Sequence, residues 1–154
     1  AEAGVSVLLD PAPMPESLPE ELLNVDIICP NQSEASAIVG QKVDSVDDAR
    51  DCVSLLHNRG VKNVIITLGG EGAVISDGSE IRWVQPFQIT PTDTTAAGDA
   101  FAGALAVRLA AGASLKEAAH FAAAAGAIAA TRLGAQPGMP LGSEIEQLVT
   151  QARD

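Results

Sequence analysis

Short apolar runs of β character alternate with segments of helical period through the first half of the chain, and no other feature restricts the possible fold as much. Residues 5–9 (Val-Ser-Val-Leu-Leu) read as a strand, and residues 27–29 as a short buried one. Residues 61–67 form a third, whose almost continuous apolar run predicts burial on both faces. Between these runs Ser33 can cap a helix through Val39. Ser45 with Asp48 starts a second helix, in which Ala49, Cys52, Val53 and Leu56 fall at i, i+3, i+4 and i+7 before Gly60 ends it. Strand–helix–strand repetition of this kind predicts an α/β fold with a mostly parallel central sheet. Beyond the glycines at 69–72, residues 73–76 and 80–84 flank Asp77-Gly78, a strong hairpin signal. The remainder reads as helices over 98–111, 114 to about 130, and 143–151, the second opened by the capping box Ser114-x-x-Glu117.

A chain of 154 residues with 47% hydrophobic content can bury a sizeable core as one domain. The Pro-rich residues 10–19 read as an excursion within it, not as a linker. Nine basic residues against twenty acidic give a net charge of −11, which argues against nucleic acid or an anionic membrane as partner, since both need basic patches. Cys29 and Cys52 lack C-x-x-C spacing, so two core thiols of a reduced, cytoplasmic protein are expected instead of a disulfide or zinc site. No signal peptide and no apolar run fit to span a bilayer is visible. Ala1-Glu2-Ala3-Gly4 reads as the last turn of a helix, as though the chain were cut from something longer. A chain cut there would leave the strands at 5–9 and 61–67 short of neighbours.

Asp93-Thr94-Thr95-Ala96-Ala97-Gly98-Asp99 runs straight into the small, apolar stretch Ala100-Phe101-Ala102-Gly103-Ala104-Leu105, which can only be a buried helix. The first turn of a helix carries unpartnered N–H groups and the positive end of the dipole, and small residues at 96–98 let a phosphate approach them. A carboxylate in that turn also complements the dipole for purely structural reasons. Asp99 should be ionised there, able to accept a proton but not to donate one.

This segment resembles the second signature of the ribokinase (PfkB-type) family of sugar and nucleoside kinases, Asp-Thr-x-[Ala/Gly]-Ala-Gly-Asp. Pro30-Asn31-Gln32-Ser33-Glu34 resembles that family's Asn-x-x-Glu motif, and Thr67-Leu68-Gly69-Gly70-Glu71-Gly72 its nucleotide loop. Thr131-Arg132-Leu133-Gly134-Ala135-Gln136-Pro137 is similar to the ribokinase branch in particular. Four blocks in the right order span nearly the whole chain. The resemblance implies a three-layer ribokinase-like fold, with residues 1–154 forming the C-terminal, nucleotide-binding and catalytic half of one domain. Such chains are about twice this long, so the substrate and lid part would lie upstream.

The resemblance also assigns roles. Asp99 would be the general base that takes the proton from a sugar's primary alcohol, with the amides of Ala96, Ala97, Gly98 and Asp99 as the anion hole. Asn31 would contact phosphate, and Glu34 would serve magnesium through ordered water; the bland alternative is that both simply favour a strand-to-helix turn. Thr67, Leu68, Gly69, Gly70, Glu71 and Gly72 would hold ATP, although a glycine cluster between strands is usually only a turn. Ala123 stands where ribokinases place a polar side chain against adenine. Asp93 and Thr95, with backbone groups of Ala129, Arg132 and Gly134, match a potassium site at which Gly138 replaces a common Ser; Asp93 as a plain turn acid weighs evenly against this. His57 and His120 read as solvent-facing, and Trp83 and Phe87 as covering the sheet.

The function implied is transfer of the ATP γ-phosphoryl group to O5 of ribose. Another sugar or a nucleoside as acceptor, or a non-catalytic nucleotide-binding protein of the same fold, are the alternatives. The sugar, ATP, magnesium and potassium would be its ligands, and a homodimer is compatible with the resemblance.

Overall fold

The computed structural model describes residues 4–15 and 18–152, and divides into two compact units, Ala1–Trp83 and Val84–Asp154. The expected helix end at residues 1–4 falls largely outside the described residues.

The first unit is built on a five-stranded sheet in the order β1 (Leu8–Leu9), β2 (Ile27–Ile28), β3 (Asn63–Thr67), β4 (Ala73–Ser76) and β5 (Ile81–Val84). β1, β2 and β3 run parallel, and β4 returns antiparallel with Ile65 opposite Ile75. The strand at 5–9 is thus shorter than expected, because β2 offers only two residues to pair with. Val7 is nevertheless tied down, its carbonyl accepting from Ile27 N–H at 3.1 Å and its N–H donating to Asp26 at 3.0 Å. The strand at 61–67 is not short of neighbours, since β3 lies between β2 and β4. Val64, Ile65 and Ile66 are all fully buried, as their unbroken apolar run requires for a strand covered on both faces.

Helices α1 (Gln32–Val39) and α2 (Val46–Asn58) follow β2. The α2 residues Ala49, Cys52, Val53 and Leu56 are all buried and share a core with Ile28, Val64 and Val74. Truncating a large member such as Leu56 to Ala would cost ~2–5 kcal/mol from lost transfer energy and the cavity left behind. Ser45 and Asp48 make the expected capping box, with Asp48 N–H donating to Ser45 Oγ at 3.1 Å. α1 is capped differently from expectation: the cap is Asn31, and Ser33 only donates its hydroxyl to Asn31 Oδ1 at 2.7 Å. His57 is half-buried instead of solvent-facing. Its ring nitrogens meet the Val61 carbonyl at 2.8 Å and Ser76 Oγ at 2.9 Å, so it fastens the end of α2 to β4.

The second unit is helical: α3 (Ala97–Ala110), α4 (Leu115–Ala130), the single turn α5 (Ala135–Gly138) and α6 (Gly142–Gln151). The Ser114–Glu117 capping box opens α4 as expected. Ala118, Ala122 and Ala125 of α4 are completely or almost completely buried, so the alanine enrichment serves close packing against α3. Gly126 lies at a close approach of the two helices. A Cβ there would sit 3.1 Å from the Ala97 carbonyl oxygen, at the start of α3. Phe87 packs with Ala100, Ala124 and Ile145 in this unit and stacks near His120 at 5.1 Å, so it covers helices and not the sheet. Both cysteines are buried free thiols; burial pushes Cys52 up to about 11 and Cys29 further, which leaves both inert as nucleophiles. Among the described residues no helix is long and apolar enough to cross a membrane.

Candidate active site

In the first unit the predicted residues gather at the carboxyl ends of β2 and β3. Asn31 lies in a parallel bridge with Thr67, and the Thr67 N–H donates to the Pro30 carbonyl at 3.0 Å. Asn31 Oδ1 accepts from the Glu34 N–H at 3.0 Å while Glu34 Oε2 accepts from the Asn31 N–H at 2.8 Å. This reciprocal cap realises the structural reading of the pair, and it also fixes Glu34, which is 7% exposed, at the sheet edge where open α/β folds bind ligands. Glu34 Oε1 accepts no hydrogen bond among the described residues, so it is the oxygen that can serve a magnesium-bound water. No group of three or more acidic, His or Cys side chains capable of holding a metal occurs among them.

The segment after β3 is a tight turn. Leu68 N–H donates to the Gly72 carbonyl at 2.8 Å, and Glu71 N–H to that of Leu68 at 3.0 Å. Gly69 (φ 54°) and Gly72 (φ 88°) adopt left-handed backbone, which explains both glycines conformationally. Gly70 has no such requirement, and a Cβ there would meet open space. The indole N–H of Trp83 donates to the Glu71 carbonyl at 2.8 Å, a tether that no local spacing signalled.

In the second unit α3 opens without a side-chain cap. The Ala97 N–H is occupied by the Thr94 carbonyl at 3.2 Å, and the Ala100 N–H by that of Ala96 at 3.0 Å. Ala97 therefore drops out of the expected anion hole as a donor. The Ala96, Gly98 and Asp99 N–H groups find no acceptor among the described residues; Ala96 is buried, whereas Gly98 and Asp99 are exposed, so two first-turn donors and a carboxylate face outward together. Ala123 lies half-buried within α4.

The segment before α3 is stapled to the end of α4. Thr92 and Asp93 N–H both donate to the Ala130 carbonyl, at 2.7 and 3.1 Å. Asp93 Oδ1 accepts from the Thr95 hydroxyl (2.5 Å) and N–H (3.0 Å), and Oδ2 accepts from the Gly134 N–H at 3.0 Å. A Cβ placed on Gly138 would lie 3.6 Å from the Ala129 carbonyl oxygen and 3.8 Å from that of Arg132, so both oxygens lie close to Gly138, the first also accepting from the Arg132 N–H at 3.0 Å. One carboxylate with neutral carbonyls suits a large monovalent cation in donor type, and Asp93, Thr95, Ala129, Arg132, Gly134 and Gly138 do come together.

The Thr95 hydroxyl, the Gly134 N–H and the Thr95 N–H hold the Asp93 carboxyl below the usual aspartate range; Ser45 does the same for Asp48, and Arg132 for Glu144. A carboxyl depressed on folding adds stability above its unfolded pKa and loses it as the pH falls through the folded one. The urea midpoint is therefore expected to be flat near neutrality and to drop below about pH 4, and Asp93→Asn should shallow that acid slope.

The family model described as pfkB family carbohydrate kinase matches residues 1–141. The chain belongs to the pfkB family. A ribokinase of Haemophilus influenzae is 39% identical over 150 residues, which cover 97% of this chain and 49% of that protein. The solved structure of Arabidopsis thaliana ribokinase complexed with ribose and ATP superposes with a TM-score of 0.90 at 34% identity, over 96% of this chain and 48% of that one. Phosphofructokinase-2 of Escherichia coli in complex with potassium gives a TM-score of 0.83 at 28% identity, over 99% and 49%. The chain thus has the α/β fold of pfkB-family ribokinases and spans about half the length of these relatives.

Proposed function

We propose that residues 1–154 are the nucleotide-binding and catalytic part of a ribokinase-like domain that transfers the γ-phosphoryl group of ATP to O5 of ribose. The observation that carries the reading is the pair of unpartnered amides at Gly98 and Asp99 set beside the Asp99 carboxylate, within a chain matched by the pfkB model. Asp99 accepts the proton of the primary hydroxyl as its oxygen attacks the γ-phosphorus and ADP departs. The two amides stabilise charge on the phosphoryl oxygens as the bond changes hands.

On the same reading Asn31 contacts phosphate, residues 67–72 hold the nucleotide, and Ala123 gives the adenine an apolar wall. Magnesium, when bound, neutralises phosphate charge, and Glu34 orients it through water. Potassium, when bound at Asp93, Thr95, Ala129, Arg132, Gly134 and Gly138, adds fixed positive charge beside the amides. Gly138 offers no hydroxyl, so fewer oxygens hold the ion. The setting on this reading is the cytoplasm.

The test is ADP formation by the full-length protein with ribose, deoxyribose, fructose 6-phosphate and adenosine as acceptors. Ribose is expected to give the highest kcat/KM, and no acceptor-dependent turnover with any of them would defeat the proposal. Because phosphoryl transfer needs a positioned acceptor hydroxyl, the 154-residue chain alone is expected to show no ribose-dependent turnover. Ribose 5-phosphate made by this chain alone would place the sugar site within it.

A further inference from the structure

We propose that Glu144 is a positioning residue for the monovalent-cation site, holding the Arg132 carbonyl in place through a two-pronged ion pair. The inference rests on the cation reading above.

Arg132 Nη2 lies 2.6 Å from Glu144 Oε1, and Nη1 lies 3.2 Å from Oε2. Oε2 also accepts from the Leu141 N–H at 2.7 Å, which ties the pair to the first turn of α6. Both side chains are about one-third exposed, at 34% and 36%, so the fork is partly shielded from water. Arg132 N–H donates to the Ala129 carbonyl at 3.0 Å, which places the two carbonyl oxygens that lie close to Gly138 on one turn of chain. Asp93 fastens this turn through the Gly134 N–H at 3.0 Å, and Glu144 fastens it through the Arg132 side chain. The Glu144 carboxylate is occupied by Arg132 and Leu141, so it acts through Arg132 and not as a ligand. A site made mainly of neutral carbonyl dipoles depends on each being aimed, and removing an outer partner of a metal ligand commonly weakens the ion's binding about 10- to 100-fold.

The experiment is a potassium titration of the full-length protein at fixed ionic strength, with tetramethylammonium as the replacing cation, read by Tm and by ribose-dependent turnover. Wild type is expected to show a saturable rise in both. In Glu144→Gln the half-saturating potassium concentration should rise about tenfold in both readouts, while kcat at saturating potassium stays near wild type. Arg132→Lys, which keeps the charge and loses the fork, should fall between and carries the test where Glu144→Gln does not fold. Glu20→Gln, which breaks the Arg59 ion pair (2.5 Å) in the first unit, should leave the potassium midpoint unmoved. A Glu144→Gln protein with the wild-type midpoint, or with losses that saturating potassium does not restore, overturns the inference alone. A wild type indifferent to potassium overturns the cation reading and this inference with it.

Discussion

Replacing Asp99 by Asn in the full-length enzyme is expected to lower kcat by about 10² to 10⁴, the usual worth of a general base, with little change in nucleotide affinity. Asp99 sits in the first turn of α3, exposed, with no hydrogen-bond partner for its carboxylate among the described residues. A carboxylate present only to cap would be expected to take up backbone N–H groups, as Asp48 and Glu117 do at the starts of α2 and α4. Asn keeps the size and removes the proton acceptor, while the amides that face phosphate remain. Turnover and nucleotide Kd should be measured together, because near-normal turnover would return Asp99 to a dipole-complementing role.

Gly98→Val is expected to cost about 10² to 10³ in kcat, equivalent to roughly 3–4 kcal/mol of transition-state stabilisation. The protein should remain folded. A Cβ at Gly98 meets nothing within 4 Å, the residue has no left-handed backbone, and Val is no worse than Gly inside a helix. What the isopropyl group fills is the open approach to the Gly98 and Asp99 amides. Gly98→Ala, with one methyl, should do less harm, and a cooperative urea transition close to wild type would separate blocked access from misfolding. Wild-type phosphoryl transfer in a folded Gly98→Val protein would remove the anion hole.

How much of this could be read from the chain depended on the reach of each interaction. The Ser45–Asp48 and Ser114–Glu117 caps join partners three residues apart, and both hold. The buried face of α2 follows from helical period alone. The choice between Asn31 and Ser33 as the cap of α1 was missed, because both are good caps and the reciprocal bond to Glu34 decides. His57 was misplaced because its partner Ser76 is nineteen residues away. In the candidate site the run from Asp93 to Asp99 announced its amides, but Thr94 occupying the Ala97 N–H depends on the exact course of the turn. Glu144 carried only one local sign, its place three residues after Leu141 at a helix start. Its bond to Arg132 spans twelve residues and had no signature.

Trp83 is the sole tryptophan of the chain, and its indole N–H is bonded to the Glu71 carbonyl of the glycine turn while the residue stays 43% exposed. An indole held by one hydrogen bond to a loop and half open to water has an emission that changes when either condition does. The chain thus carries a built-in optical probe within hydrogen-bond distance of the segment proposed to receive the nucleotide. Within these residues no labelling and no second indole would confuse the signal, so occupancy of residues 67–72 becomes a fluorescence measurement, separable from catalysis at α3.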